Sequence, residues 1–196
     1  MMKFLLRLLL AGLAMAYLAG CETNLPLNGF PELRYNHLAP IRLDAVRVEV
    51  VQQYKSIGAR PYVEHEFPQR PAEAAARWAT DRLQAVGTRN IVRMTILKGS
   101  VVEVPLARTE GVKGIFTIDQ SEQYDGTLSV RVEIIGPDGQ QLAYVASQAT
   151  KSRSVPENIT LADREKTWFR MTESMMNELN LSLERQIMEH FKPWFR

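Results

Sequence analysis

Tyr124-Asp125-Gly126-Thr127-Leu128-Ser129-Val130-Arg131-Val132-Glu133-Ile134-Ile135 alternates apolar and polar side chains along most of its length. Tyr124, Leu128, Val130, Val132 and Ile134 fall on one side; Thr127, Ser129, Arg131 and Glu133 fall on the other. A period of two describes a strand with one face on a core and one in water. The strand is read over Gln123 to Ile135. Gly136-Pro137-Asp138-Gly139 then reads as a turn, because proline's fixed φ suits its first central position. Leu142 to Ser152 returns as the antiparallel partner. Such a hairpin has one apolar face and must bury it under something else.

Two amphipathic segments are available to cover it. Pro71 to Val86 reads as a helix, with Pro71 in its first turn and Gly87 as its C-terminal cap. Ala72, Ala75, Ala79, Leu83 and Val86 recur at three- and four-residue spacing, an apolar stripe small enough to approach a sheet closely, with Trp78 at its edge. Thr160 to Phe191 reads as a long helix, with Thr160 and Asp163 spaced like a capping box. Trp168, Met171, Met175, Leu179, Leu183 and Ile187 form its apolar stripe. At about 1.5 Å per residue it spans roughly 45 Å. That exceeds the need of a small sheet, so its C-terminal end, with Phe191, Trp194 and Phe195, is expected to overhang. Met176 lies off the stripe and is expected to be exposed.

Leu43 to Val51 reads as a further strand, with Val46, Val48 and Val50 on one face and Arg47 and Glu49 on the other. Gln52 to Arg70 is a long connection with a short extended piece over Tyr62 to Phe67. Asn90 to Leu97 and Ser100 to Val104 read as one strand broken at Gly99, or as two. Pro105 to Gln120 is a loop holding the apolar pair Ile115-Phe116. The order of elements predicts an α+β two-layer sandwich: a mixed or antiparallel sheet of about four strands, covered on one face by two helices.

The N-terminus carries an address. Lys3 and Arg7 precede an apolar run, Leu8 to Ala19, too short to span a bilayer, which takes about 20 apolar residues. A charged start, a short apolar run and small residues before a cut describe a secretory signal. The run ends Leu18-Ala19-Gly20-Cys21, and Cys21 is the only cysteine. Residues 1–20 are therefore read as a cleaved leader, 21–40 as a lipidated N-terminus and flexible tether, and 41–196 as a single periplasmic domain. The tether holds Pro26, Pro31, Pro40 and Gly29 without periodicity; Leu33 and Tyr35 are its apolar residues able to pack back.

Cleavage before Cys21 leaves 176 of 196 residues, enough for one ordinary core. Of the 24 basic residues, Lys3 and Arg7 leave with the leader; the remaining 22 balance 22 acids. A neutral domain argues against nucleic acid as a partner. Lipidation of Cys21 leaves no thiol for a disulfide or a nucleophile, so packing alone must hold the domain.

The chemistry-bearing residue types do not gather in sequence. His37, His65 and His190 are dispersed, and a zinc site would need converging ligands. Flanking Glu64 and Glu66 point away from His65 if that segment is extended. There is no GxSxG, SxxK, GxGxxG or GxxxxGK[ST] run. Asp119 and Glu122 are the one candidate carboxylate pair, of a kind common on solvated loops. No metal, no cofactor and no catalytic residue is expected.

Two features suit binding instead. Arg108 and Lys113 flank Ile115 and Phe116 on the Pro105–Gln120 loop, where exposed apolar residues beside cations suit a protein partner or an acyl chain. Lys151 and Arg153 follow the last strand and, with Lys98 and Arg108, would make a basic edge for lipid phosphates or acidic side chains.

Leu18-Ala19-Gly20-Cys21 resembles the bacterial lipobox at all four positions. The resemblance implies diacylglycerol on the Cys21 sulfur, cleavage after Gly20 and acylation of the new amino group, giving firm anchoring. Glu22 in the next position implies sorting to the outer membrane. The strand Tyr124–Val132, the Gly136–Gly139 turn and the Met-rich final helix make the domain similar to two groups. One is the lipoprotein subunit of the lipopolysaccharide-assembly porin; the other is the auxiliary lipoproteins of ABC-type lipid transporters. The resemblance implies a non-enzymatic adaptor in envelope assembly or lipid transport, facing the periplasm, with an envelope protein and possible lipid as partners. The alternatives are a structural or stress-related envelope lipoprotein, and an enzyme with a site assembled from distant segments.

Overall fold

The computed structural model describes residues 29–106 and 120–196. Four strands form one sheet in the order β1-β2-β3-β4: β1 Ile41–Gln52, β2 Leu83–Pro105, β3 Gln120–Ile135 and β4 Gln141–Pro156. β1 and β2 are parallel; the other two pairings are antiparallel. Helix α1, Pro71–Arg82, joins β1 to β2, and α2, Leu161–His190, follows β4. Both helices lie on one face. Gly99 of β2 sits against Ala72 of α1, Gly126 of β3 against Met171 and Met175 of α2, and the Trp78 indole N–H donates to Asn180 Oδ1 between the helices at 2.7 Å. The fold is the α+β two-layer sandwich that the patterning predicts.

The hairpin forms as the alternation requires. Tyr124, Leu128, Val130, Val132 and Ile134 are all fully buried. At the turn Gly139 takes φ +81° and its N–H donates to the Gly136 carbonyl at 2.9 Å. β4 runs on to Pro156, beyond the expected Ser152. In α2, the Thr160 hydroxyl accepts from the Asp163 amide at 3.1 Å, and the whole predicted stripe is buried.

Several expectations are corrected by packing. α1 stops at Arg82, and Leu83, not Gly87, caps it in extended conformation. Leu83, Gln84 and Ala85 are captured as a parallel ladder by Ile41, Arg42 and Leu43. That pairing begins before the helical stripe ends. Gly87 instead lies where the ladder slips between Ala85 and Asn90; a Cβ there would come within 1.8 Å of Asp44 Oδ1 and 2.8 Å of the Ala45 nitrogen. Gly99 does not break β2, whose ladder with β3 slips between Ile96 and Lys98 instead.

In β1 the fully buried row is Ile41, Leu43 and Ala45. A register shift between Ala45 and Arg47 changes the phase: Val46 is left 52% exposed on the open side, whereas Val48 and Val50 pair with buried Val92 and Met94 on the helix side, Val48 partly packed and Val50, farther along the strand, still 40% exposed. A bulge inserts one residue and flips every side chain beyond it. The segment Tyr62–Phe67 is not extended throughout: Tyr62 bridges to Val102, then Glu64–Glu66 forms a 3-10 turn.

The two chain ends also differ from expectation. Met176 is fully buried, so α2 buries a wider face than the single stripe. α2 does not overhang. Phe191 is buried, the chain turns through Lys192–Trp194, Phe195 bridges to Leu43, and the Arg196 N–H donates to the Arg42 carbonyl at 3.2 Å. The tail thereby covers the start of β1's open edge. Residues 29–40 are not a free tether. Tyr35 is buried, Leu33 and Leu38 pack on the core, and Phe30 stacks on Phe169 at 5.1 Å.

Candidate functional site

The helix-covered face is filled by the core, so the accessible feature built by the sheet is its other face. Cross-strand register aligns Glu49, Arg93, Glu133 and Tyr144 in one row over all four strands. Arg93 Nη2 lies 2.9 Å from Glu49 Oε2, and Arg47 Nη2 lies 2.8 Å from Glu49 Oε1. Hydrogen bonds from Arg93 and then Arg47 hold the Glu49 carboxyl below its ordinary range. Arg131 Nε lies 3.4 Å from Glu133, and its guanidinium sits 4.6 Å from the centre of the Tyr144 ring. Beyond this charged row the face carries Lys98, Ser129 and Gln148, then Ser100, Thr127 and Thr150, again in register. The face carries hydroxyls and amides with one row of alternating charge, Ser100 itself being buried. Directed hydrogen bonds and ion pairs are the chemistry such a face offers.

Two of the four cations of the predicted basic edge, Lys98 and Lys151, lie on opposite faces of the sheet. Lys151 points to the helix side, where its Nζ lies 2.8 Å from Glu178 of α2. Lys98 pairs in register with Ser129 on the opposite face. Alternation along a strand separates the two, which sequence proximity to strand ends does not reveal. Arg153 is exposed, and its Nη1 donates to the Ser152 carbonyl at 3.0 Å. Cys21, Arg108, Lys113, Ile115 and Phe116 lie outside the described residues.

Asp119 lies there too, and Glu122 is committed elsewhere: it accepts from the Tyr124 hydroxyl at 2.7 Å and pairs with Arg164 at 3.2 Å. The 3-10 turn brings His65 Nε2 to 3.7 Å from Glu66, where an extended segment would have separated them. Among the described residues no group of three His, Cys, Asp or Glu is placed to hold a metal ion.

Glu64 is the polar residue whose role only the fold reveals. Its buried carboxylate accepts from Tyr54 Oη at 2.6 Å, Ser56 Oγ at 2.5 Å and the Val101 amide at 3.1 Å. Burial alone would raise its pKa; the bonds from Ser56, Tyr54 and Val101 together outweigh that and lower it. Burial, then the bond to Glu64, pushes the Tyr54 phenol up. The cluster ties the connection after β1 to β2, a structural task. Asp81 does the same for the N-terminal segment, accepting from Arg34 at 2.7 and 3.0 Å and from the Tyr35 amide at 2.8 Å. Arg34 is the main reason its carboxyl is held low.

Two open depressions flank α2. One, of about 580 Å³, lies between Leu33–Leu38 and the Glu173–Leu181 side of the helix. The other, of about 410 Å³, is lined by His65, Glu66, Arg70, Glu73 and Glu165 among others.

No family model matches the chain, and no curated protein matches it. Solved structures that match parts of the chain include a candidate lipoprotein from Caulobacter crescentus CB15, at 10% identity over 72% of this chain and 90% of that one, TM-score 0.31. A Xanthomonas campestris protein of family DUF330 has 7% identity over 74% and 88%, TM-score 0.32. Lipoprotein GNA1162 from Neisseria meningitidis has 8% identity over 73% and 100%, TM-score 0.23. At these values the likeness establishes no family for this chain.

Proposed function

We propose that this protein is a lipid-anchored envelope lipoprotein that acts by contact and not by catalysis. It is acylated at Cys21, held at the outer membrane facing the periplasm, and serves as an adaptor to a transport or assembly protein of the envelope. The observation that carries the reading is the run Leu18-Ala19-Gly20-Cys21 behind a short basic and apolar leader. The division of the sheet supports its contact half: one face is spent on the core, and the other presents the Glu49–Arg93–Glu133–Tyr144 row. The buried carboxylate of Glu64 is spent on structural bonds.

The test has two parts. Cys21→Ala should leave the leader uncleaved and the chain without acyl groups; normal processing and membrane retention would sink the anchor. A photoreactive side chain at Tyr144 or Gln148 in the full-length protein should cross-link in cells to a defined envelope protein. The same group at Arg170, on the helix side, should not. Adducts from Arg170 alone would place the contact face on the helices and overturn the assignment to the sheet.

A further inference from the structure

We propose that the end of the domain bearing the first turn of α2 and the loop after β1 rests on the lipid surface to which Cys21 is attached, with Leu161 and Ile57 as its apolar contacts. This rests on the lipid-anchor reading and adds to it an orientation.

The argument is one of chain length. Phe30 stacks on Phe169, near the start of α2. From there the chain runs toward the other end of the helix. Arg34 and Tyr35 are tied to Asp81, Leu33 to Leu38 lie along the Glu173–Leu181 side, and Pro40 lines a hollow with Met188 and Phe195. Residues 30–40 are therefore pinned alongside α2, and the reach of Cys21 from the domain is at most the chain length that separates it from Phe30. Nine steps at up to about 3.5 Å give roughly 30 Å at full stretch. From Phe169 to Leu161 is about 12 Å along the helix, and from Phe169 to His190 about 32 Å, at 1.5 Å per residue. The near end reaches the anchoring surface with chain to spare. For the far end to reach it, the linker would have to be fully extended back along the helix and would still fall short of the turn that follows His190.

The near end is also suited to that surface. Leu161, the first residue of α2, and Ile57 are each 69% exposed. The loop holding Ile57 leads to Pro61, whose carbonyl accepts from the Glu103 amide near the end of β2. Exposed Lys55 stands two residues from Ile57, and exposed Lys166 stands five from Leu161, with Asp163, Arg164 and Glu165 between. Apolar side chains with neighbouring lysines suit the boundary between acyl chains and phosphate headgroups.

Because Cys21 is the only cysteine and its sulfur is the one acylated, a second cysteine can be labelled alone. Full-length Leu161→Cys, Ile57→Cys and Met188→Cys proteins would carry an environment-sensitive fluorophore. They would be reconstituted in vesicles of phosphatidylethanolamine and phosphatidylglycerol containing a spin-labelled lipid quencher. Met188 is 54% exposed near the far end of α2 and serves as the opposite pole. Quenching should be several-fold stronger at 57 and 161 than at 188. Equal or stronger quenching at 188, or none at any position on an acylated protein, would overturn the orientation. The mass of the N-terminal peptide separates the two failures: an unmodified Cys21 removes the anchor reading itself, whereas an acylated Cys21 with quenching at 188 removes only the orientation.

Discussion

Individual side chains in this domain differ sharply in what their loss should cost. Val130 is fully buried in the middle of β3, with Ser129 beside it on the open face. Val130→Asp places an uncompensated charge in the core and should cost several kcal/mol, enough to abolish cooperative thermal unfolding. Ser129→Asp should change stability by no more than about 0.5 kcal/mol. Circular dichroism melts of the pair test the register directly. Glu64 makes a second case. Glu64→Ala leaves the Val101 amide and two hydroxyls without their acceptor and should cost about 1–3 kcal/mol in denaturant unfolding. Its carboxyl is held low in the folded state. The stabilisation is therefore in full above the unfolded value of about 4.3 and fades as pH falls through the lower folded value. Glu64→Gln should remove that part of the acid sensitivity, read as a smaller stability difference between neutral and acidic buffer.

The strands and helices meet through small residues, and which neighbour each one faces determines its tolerance. A Cβ on Gly99 would lie 2.7 Å from Ala72 Cβ and 3.1 Å from the Ala72 nitrogen. Both belong to the first turn of α1, which cannot yield without shifting the helix. Gly99→Ala should therefore cost about 1–3 kcal/mol. A Cβ on Gly126 would meet Met171 Cε at 2.6 Å and Met175 Sδ at 3.0 Å, the ends of flexible side chains. Methionine adapts its rotamer to fill what is left, so Gly126→Ala should be clearly the milder of the two. Unfolding midpoints of both variants give the comparison. The alanine stripe in α1 announces this close approach in the sequence. Where α1 ends does not follow from it, since Leu83 and Val86 fit a helical period as well as a strand.

The domain is larger than its periodic segments. Tyr35 contributes a buried aromatic ring, and Arg34 pairs with the nearly buried carboxylate of Asp81. A chain beginning at Ile41 loses both and leaves Asp81 without its cation, whereas one beginning at Gly29 keeps them. The shorter chain should be less stable by at least about 2 kcal/mol, from the burial of the ring alone, measurable in parallel urea titrations. The C-terminal tail completes the assembly at the other end, where Phe195 and Arg196 cover the start of β1. An edge strand left bare is a template for unwanted pairing, and the tail blunts that part of it.

Alternation over Tyr124–Ile135, the turn after it and the stripes of two helices specified the layers and the hairpin register, because local periodicity reports which side chains must leave water. The run Leu18-Ala19-Gly20-Cys21, on which the proposed anchor rests, is legible by residue type alone. Non-local partners decided the remainder. The β1 core row depends on a bulge, the end of α1 on a competing parallel ladder, and the burial of Met176 and Tyr35 on helices packed from elsewhere in the chain. The separation of Lys98 from Lys151 and the alignment of Glu49, Arg93, Glu133 and Tyr144 arise only when four strands fall into register. No single segment encodes that register, because each strand's place is set by hydrogen bonds to its neighbours.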